Sequence, residues 1–206
     1  MSIEFFFRLG GMIVFAVLGA LLGDVVGRST GQSPQITAIL LGLAERIQRG
    51  ELSIQQTRVT LALFCGEEIN MQGARAYTRS RQWPLPAIAL NLEIMAQNGE
   101  YVYWEQDGNS FRLFPTSTEV NQRLVEAVQT VTGLPPRPAG PINSDGFRLS
   151  QAGVPTGVLG TYDTVLKDRG FHGPADNLGR VVMERLPEGA EILAAFICQY
   201  DAKEAL

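Results

Sequence analysis

Between residues 5 and 23 the chain reads FFFRLGGMIVFAVLGALLG, an apolar run broken only by Arg8. A helix needs about 20 apolar residues to cross a bilayer, so this run predicts a membrane-spanning helix within an N-terminal unit of residues 1–30, with Arg8 reaching back to the interface. Gly19, Gly23 and Gly27 recur every four residues, a spacing that lets helices approach closely and would support a helix-mediated oligomer. A cleaved signal peptide and a helix buried in a soluble protein are the competing readings. Charges flanking the run, Glu4 and Arg8 before and Asp24 and Arg28 after, give no orientation, so the expected localisation is membrane-associated with the side open.

Past residue 30 the pattern changes. Ser33 and Pro34 make a helix start, with Ile36, Leu40, Leu43, Ala44 and Ile47 at helical spacing and Gly50 as the stop. Residues 57–64 (TRVTLALF) are β-branched and apolar, which predicts a strand covered on both faces. A short helix over 70–82 and a second buried strand over 86–92 follow, an order that implies a crossover and parallel pairing. Asp107-Gly108-Asn109 predicts a hairpin turn. A helix over 118–132 is expected to be capped by Thr116 and ended by Gly133. Ser144 or Asp145 should cap a short helix, Val154–Leu159 is a third core strand, and helices over 176–186 and 188–204 are split by Pro187. Together these elements predict a three-layer α/β sandwich with a mostly parallel central sheet over residues 31–206.

The chain's 206 residues carry a formal net charge of −4, with charges mixed in sign and no basic run, so nucleic acid is a poor candidate partner. Cys65 and Cys198 sit in apolar stretches and are expected to be buried free thiols. His172 is the one histidine in the sequence, so any zinc site with an imidazole ligand must use it.

Chemistry concentrates at three places. Glu67 and Glu68 follow the first expected strand directly, Asn91-Leu92-Glu93 closes the second, and His172 lies in the loop after the third. Ligands of open α/β sheets gather at the carboxyl ends of parallel strands, so Glu68, Glu93 and His172 should meet in one crevice as ligands suited to zinc. Glu67, pointing away from Glu68, could accept a proton from a water activated there.

The same segments resemble a known family. FCGEE with QGARAY resembles the GEE-x-x-x-x-GS/A-x-x-Y/F segment of the co-catalytic zinc aminopeptidases, the superfamily of bacterial leucyl aminopeptidases, glutamate carboxypeptidase, glutaminyl cyclases and the transferrin receptor. NLEIM is similar to its NLDM-type segment, NSDGFRLSQAGVPTGVL to its SDH-x-x-F-x-x-x-GIP segment, and FHGPADNL to its YHTP-x-D-x-L segment. The resemblance implies a phosphorylase/hydrolase-like zinc peptidase fold acting on peptides with a free N-terminus. By position, Glu67 would be the general base, Glu68 and His172 ligands of one zinc ion, and Glu93 the substitute for an aspartate ligand of a second. Asp145 and Asp176 match acidic positions expected to cap helices and orient the histidine loop.

Two features of the family have no counterpart. No upstream His-x-Asp segment exists in the sequence, and Gly31, Gln32 and Ser33 stand where a bridging aspartate is expected. The resemblance therefore implies an N-terminally incomplete fold, with one or two zinc ions and an unfinished second site. Three functions are open: a zinc-dependent aminopeptidase, truncated and weakly active or inactive; a non-catalytic membrane-anchored interaction domain; and a single-zinc acyltransferase like the glutaminyl cyclases, against which the missing aspartate counts.

Overall fold

The computed structural model describes residues 34–80, 86–162 and 178–204. The apolar 1–30 unit and the Ser33 cap lie outside the described residues, as do His172 and Asp176. Among the described residues no helix is long and apolar enough to cross a membrane.

Helix α1 (Pro34–Gln48) forms as its periodicity predicts, and Ile39 and Leu43 are the residues it buries completely. Helix α2 (Gln72–Arg79) follows the Glu67-Glu68 turn. Strands β1 (Ala89–Glu93), β2 (Glu100–Trp104), β5 (Arg137–Ala139) and β6 (Thr156–Tyr162) form a sheet in the order β1-β6-β2-β5. The β1–β6 and β2–β5 pairs are parallel, whereas β2 runs antiparallel to β6. A hairpin of β3 (Gln106–Asn109) and β4 (Arg112–Pro115) stands apart from the sheet. Helices α3 (Thr118–Thr132), α4 (Gly146–Gln151) and α5 (Arg185–Glu204) complete the chain.

Alternation along the strands sorts the side chains into two cores. Leu90, Leu92, Tyr101, Tyr103 and Leu159 pack with α1, α3 and α5 on one face. Val102, Trp104 and Val158 lie on the other, the face on which Asn91 meets Ser144 just before α4. A third cluster of Met71, Ala74 and Phe147, backed by Phe64 and Phe114, ties α2, α4 and the hairpin together. The predicted layering therefore holds, with a mostly parallel sheet between helices.

Several expectations are corrected. Residues 57–64 carry no strand ladder: half-buried positions (57, 59, 62, 64) mix with exposed ones (58, 60, 61, 63), and none is fully buried, so the segment is not covered on both faces. Its entry is held by Asp201, whose buried carboxylate accepts the backbone N–H groups of Gln55 at 2.8 Å, Gln56 at 2.8 Å and Thr57 at 2.6 Å. Removing that carboxylate (Asp201→Ala) should lower the unfolding midpoint, because three donors lose their partner. The hairpin turns at Ser110-Phe111, since Asp107, Gly108 and Asn109 belong to β3. Ser117, not Thr116, caps α3; the Thr116 hydroxyl is already engaged, donating to the Trp104 carbonyl at 2.7 Å and accepting from Asn121 at 2.8 Å. Pro187 sits inside α5 rather than splitting two helices. It occupies the first turn, where backbone N–H groups have no partner within the helix and a missing one costs nothing. Both cysteines are free as expected, but Cys65 is exposed and Cys198 only half-buried.

Gly160 faces Glu93 across the β1–β6 ladder. A Cβ built there would stand 2.2 Å from the Glu93 carbonyl oxygen and 2.7 Å from the Trp104 ring. The nearer neighbour is backbone and cannot yield, so Gly160→Ala should destabilise the fold by about 1–3 kcal/mol or more, measured by urea denaturation.

Candidate functional site

Gly66, at a φ of 69°, turns the chain after residues 57–64, a conformation that glycine adopts without strain. The N–H groups of Met71, Gln72 and Gly73 bond back to the carbonyls of Glu67, Gly66 and Cys65 at 2.8, 3.0 and 2.9 Å. This tight turn presents Glu67 half-buried and Glu68 exposed at the head of α2. Asn70 and Met71 both take left-handed backbone angles, as do Ile94 and Ala96 directly after Glu93. A β-branched isoleucine at positive φ is strained, so the turns behind both acidic motifs are held by their surroundings. At the second turn Thr161 does the holding: its backbone N–H and its hydroxyl both donate to the Ile94 carbonyl, and its Oγ1 accepts the Gln97 N–H at 3.2 Å.

Glu93 is the last residue of β1, fixed by a relay that begins in the core. Asn91 Nδ2 donates to Glu93 Oε1 at 3.0 Å and to Ser144 Oγ at 3.0 Å. The Ser144 hydroxyl donates to Asp107, whose other oxygen accepts the Ser144 N–H at 2.9 Å. Asp107 is fully buried. Gly146 seals this corner, because a Cβ there would lie 2.6 Å from Asp107 Oδ2. Ser144→Ala would leave Asp107 and Asn91 each short of a partner; about 1–3 kcal/mol of stability should go, read from chemical denaturation, and Glu93 should lose its fixed orientation.

Asp107 escaped sequence reading. An Asp-Gly pair between apolar runs signals a turn, and nothing local announces that β3 bonds to the segment before α4 through Gly108 N–H to Ile142 O at 2.8 Å. Asp145 was expected to cap α4, but its side chain makes no capping bond. Ser144 Oγ accepts the Gly146 N–H at 3.1 Å in its place. Among the described residues, Asp145 Oδ1 is buried with no hydrogen-bond partner.

The carboxylates act on one another. Burial is the largest influence on Glu67, raising its pKa to about 7, with Glu68, Asp145 and Asp107 adding repulsion. Burial lifts Glu93 to about 8; the Asn91 hydrogen bond opposes this, and Glu67, Asp145 and Asp107 reinforce it. Burial raises Asp107 to about 6 against the hydrogen bonds from Ser144. Asp145 also reaches about 6, through burial and the Asp107 charge, opposed by Arg148. Carboxylates crowded together with rising pKa values and an orphaned oxygen suit a divalent cation, whose charge relieves the repulsion. Of the acidic residues singled out in the sequence, Glu67 acts electrostatically on Glu93, and Glu68 acts on Glu67. Among the described residues no three His, Cys, Asp or Glu side chains are placed to hold a metal ion. The described donors are all carboxylates, and the imidazole of His172 lies outside them.

The family model described as Peptidase family M28 matches residues 35–197. The aminopeptidase from Aneurinibacillus sp. strain AM-1 has a similar fold, with a TM-score of 0.62 at 18% identity over 82% of this chain and 39% of that one. BSAP, a zinc aminopeptidase from Bacillus subtilis, matches with a TM-score of 0.62 at 15% identity, over 82% of this chain and 41% of its own. The LapA aminopeptidase of Legionella pneumophila gives 0.58 at 12% identity, over 82% and 46%. This chain spans less than half the length of each of these structures, and no curated protein matches it. With the family's motifs in order and its model covering most of the sequence, the chain belongs to peptidase family M28.

Proposed function

We propose that this chain is a zinc-dependent, aminopeptidase-like hydrolase of peptides, with Glu67 as the general base and Glu68, Glu93 and His172 as metal ligands. The observation that supports the reading is that the charge of Glu67, 26 positions away in sequence, adds to the burial that raises the Glu93 pKa, with Asp145 and Asp107 acting on both carboxylates. Zinc, when bound, would supply Lewis-acid polarisation of the peptide carbonyl and of a water molecule. The chain's own contribution is proton handling. A carboxylate within reach of the water both accepts and returns a proton, and burial, with the charges of Glu68, Asp145 and Asp107, raises the basicity of Glu67 in the metal-free chain. As the water oxygen bonds to the carbonyl carbon, the Glu67 carboxylate takes one proton from that water. It returns the proton to the leaving nitrogen as the carbon–nitrogen bond breaks. Glu93 is kept in place by Asn91 and Ser144, and Asp107 and Asp145 keep the rim negative, which also favours a substrate's free ammonium group.

Whether this chain holds one ion or two belongs to the same proposal, as does anchoring to a membrane through residues 5–23, which the apolar run supports. The test is hydrolysis of aminoacyl-4-nitroanilides by the full chain. Activity that disappears on chelation and returns with added zinc supports the hydrolase. Tight zinc without hydrolysis would shift the assignment to a cyclase-like acyl transfer, and neither zinc nor turnover would leave a binding domain.

A further inference from the structure

Between α2 and α4 lies an open cavity of about 380 Å³ lined by Asn70, Arg75, Thr78, Arg79, Arg148 and Gln151. Three guanidinium groups share this space. Among the described residues none of the three forms an ion pair with a carboxylate. Arg148 has a fixed position: it donates to the Asn70 side chain, bonds to Gln151 Oε1 at 3.2 Å, and stacks 4.8 Å over the Phe147 ring. Its Nε is buried and without a partner among the described residues. Burial and the charges of Arg75 and Arg79 both disfavour the Arg148 cation. Like charges held together at a cavity wall, with a donor left over, are relieved by an anion, and planar guanidinium forks match a carboxylate.

The cavity also has a defined relation to the chemistry. Asn70 belongs to the turn that presents Glu67, and Arg148 lies one helical turn beyond Asp145, close enough to oppose its raised pKa. We propose that the cavity is a subsite for a carboxylate of the peptide substrate, from an acidic side chain or from the C-terminus of a short peptide. This deepens the hydrolase reading and rests on it for the identity of the ligand.

Binding is tested first without turnover, by calorimetric titration of the full chain with glutarate and, separately, with inorganic phosphate. Glutarate should bind, and Arg75→Gln/Arg79→Gln should weaken it at least tenfold with an unchanged melting temperature. No glutarate heat, phosphate heat alone, or equal affinity in the variant would overturn the subsite. Turnover comes second. Glutamyl-4-nitroanilide should exceed glutaminyl-4-nitroanilide in kcat/KM if the side chain fills the pocket, and triglycine should exceed its amide if the C-terminus does. The double variant should flatten whichever ratio is raised; two flat ratios in the wild type would remove the carboxylate as ligand. Glutarate binding in a chain that hydrolyses nothing would refute the hydrolase reading while leaving an anion site in place.

Discussion

Glu67→Gln should reduce hydrolysis of an aminoacyl-4-nitroanilide by about 10²–10⁴-fold while leaving zinc content and melting temperature near the wild-type values. Glutamine keeps the size of glutamate and cannot carry the proton. Glu67 is half-buried at the head of α2 and sits among Glu68, Asp145 and Asp107, which raise its pKa to about 7 together with burial. Losing its charge lowers the repulsion on Glu93, so the variant should be at least as stable as the wild type. That separation gives the test its force. Equal rates in variant and wild type would remove Glu67 from its role, and a loss of activity accompanied by unfolding would point to a structural part instead.

The metal-free chain should lose stability as pH rises from about 5 to about 8. Glu67, Glu93, Asp107 and Asp145 all have raised pKa values when folded, from ordinary carboxylate values near 4 to between about 6 and about 8. A raised acid binds its proton more tightly folded than unfolded. The stabilisation is therefore complete below the unfolded values near 4, and it is lost as pH climbs through the folded ones. The groups repel one another, so their shifts do not add; a net loss on the order of 3 kcal/mol across the window is the expected scale. Urea denaturation of chelated protein at pH 5 and pH 8 measures it directly. Zinc should reverse the trend, adding about 4 kcal/mol at a thousand times its dissociation constant. A chelated chain that is more stable at pH 8 than at pH 5 would show that the carboxylates do not crowd as described.

Much of this arrangement could be read from residues alone, because local spacing encodes it. The stripe from Ile36 to Ile47 gives α1, and Gly133 at a φ of 77° ends α3 as predicted. The acidic pair at 67–68 and the acid at 93 stand out because each follows an apolar run and matches a motif. What escaped depends on partners distant in sequence. Asp107 looks like a turn residue until β3 meets the Ile142–Ser144 segment and buries it. Residues 57–64 have the composition of a strand, yet a ladder requires a neighbour, and none pairs with them among the described residues. Pro187 reads as a helix break when only its neighbours in sequence are considered, whereas its place in the first turn of α5 makes it harmless. The three arginines are unremarkable on their separate segments; the cavity exists because α2 packs beside α4.

In the proposed site, carboxylates from two motifs would hold zinc together with His172. Zinc stoichiometry by atomic emission, after exhaustive dialysis of the purified full chain, tests it most directly when Glu93→Gln and His172→Ala are run beside the wild type. At least one tightly held ion per wild-type chain is expected, and a loss of zinc in both variants without loss of fold. A wild-type chain that retains no zinc, or variants that retain as much as the wild type, would contradict it.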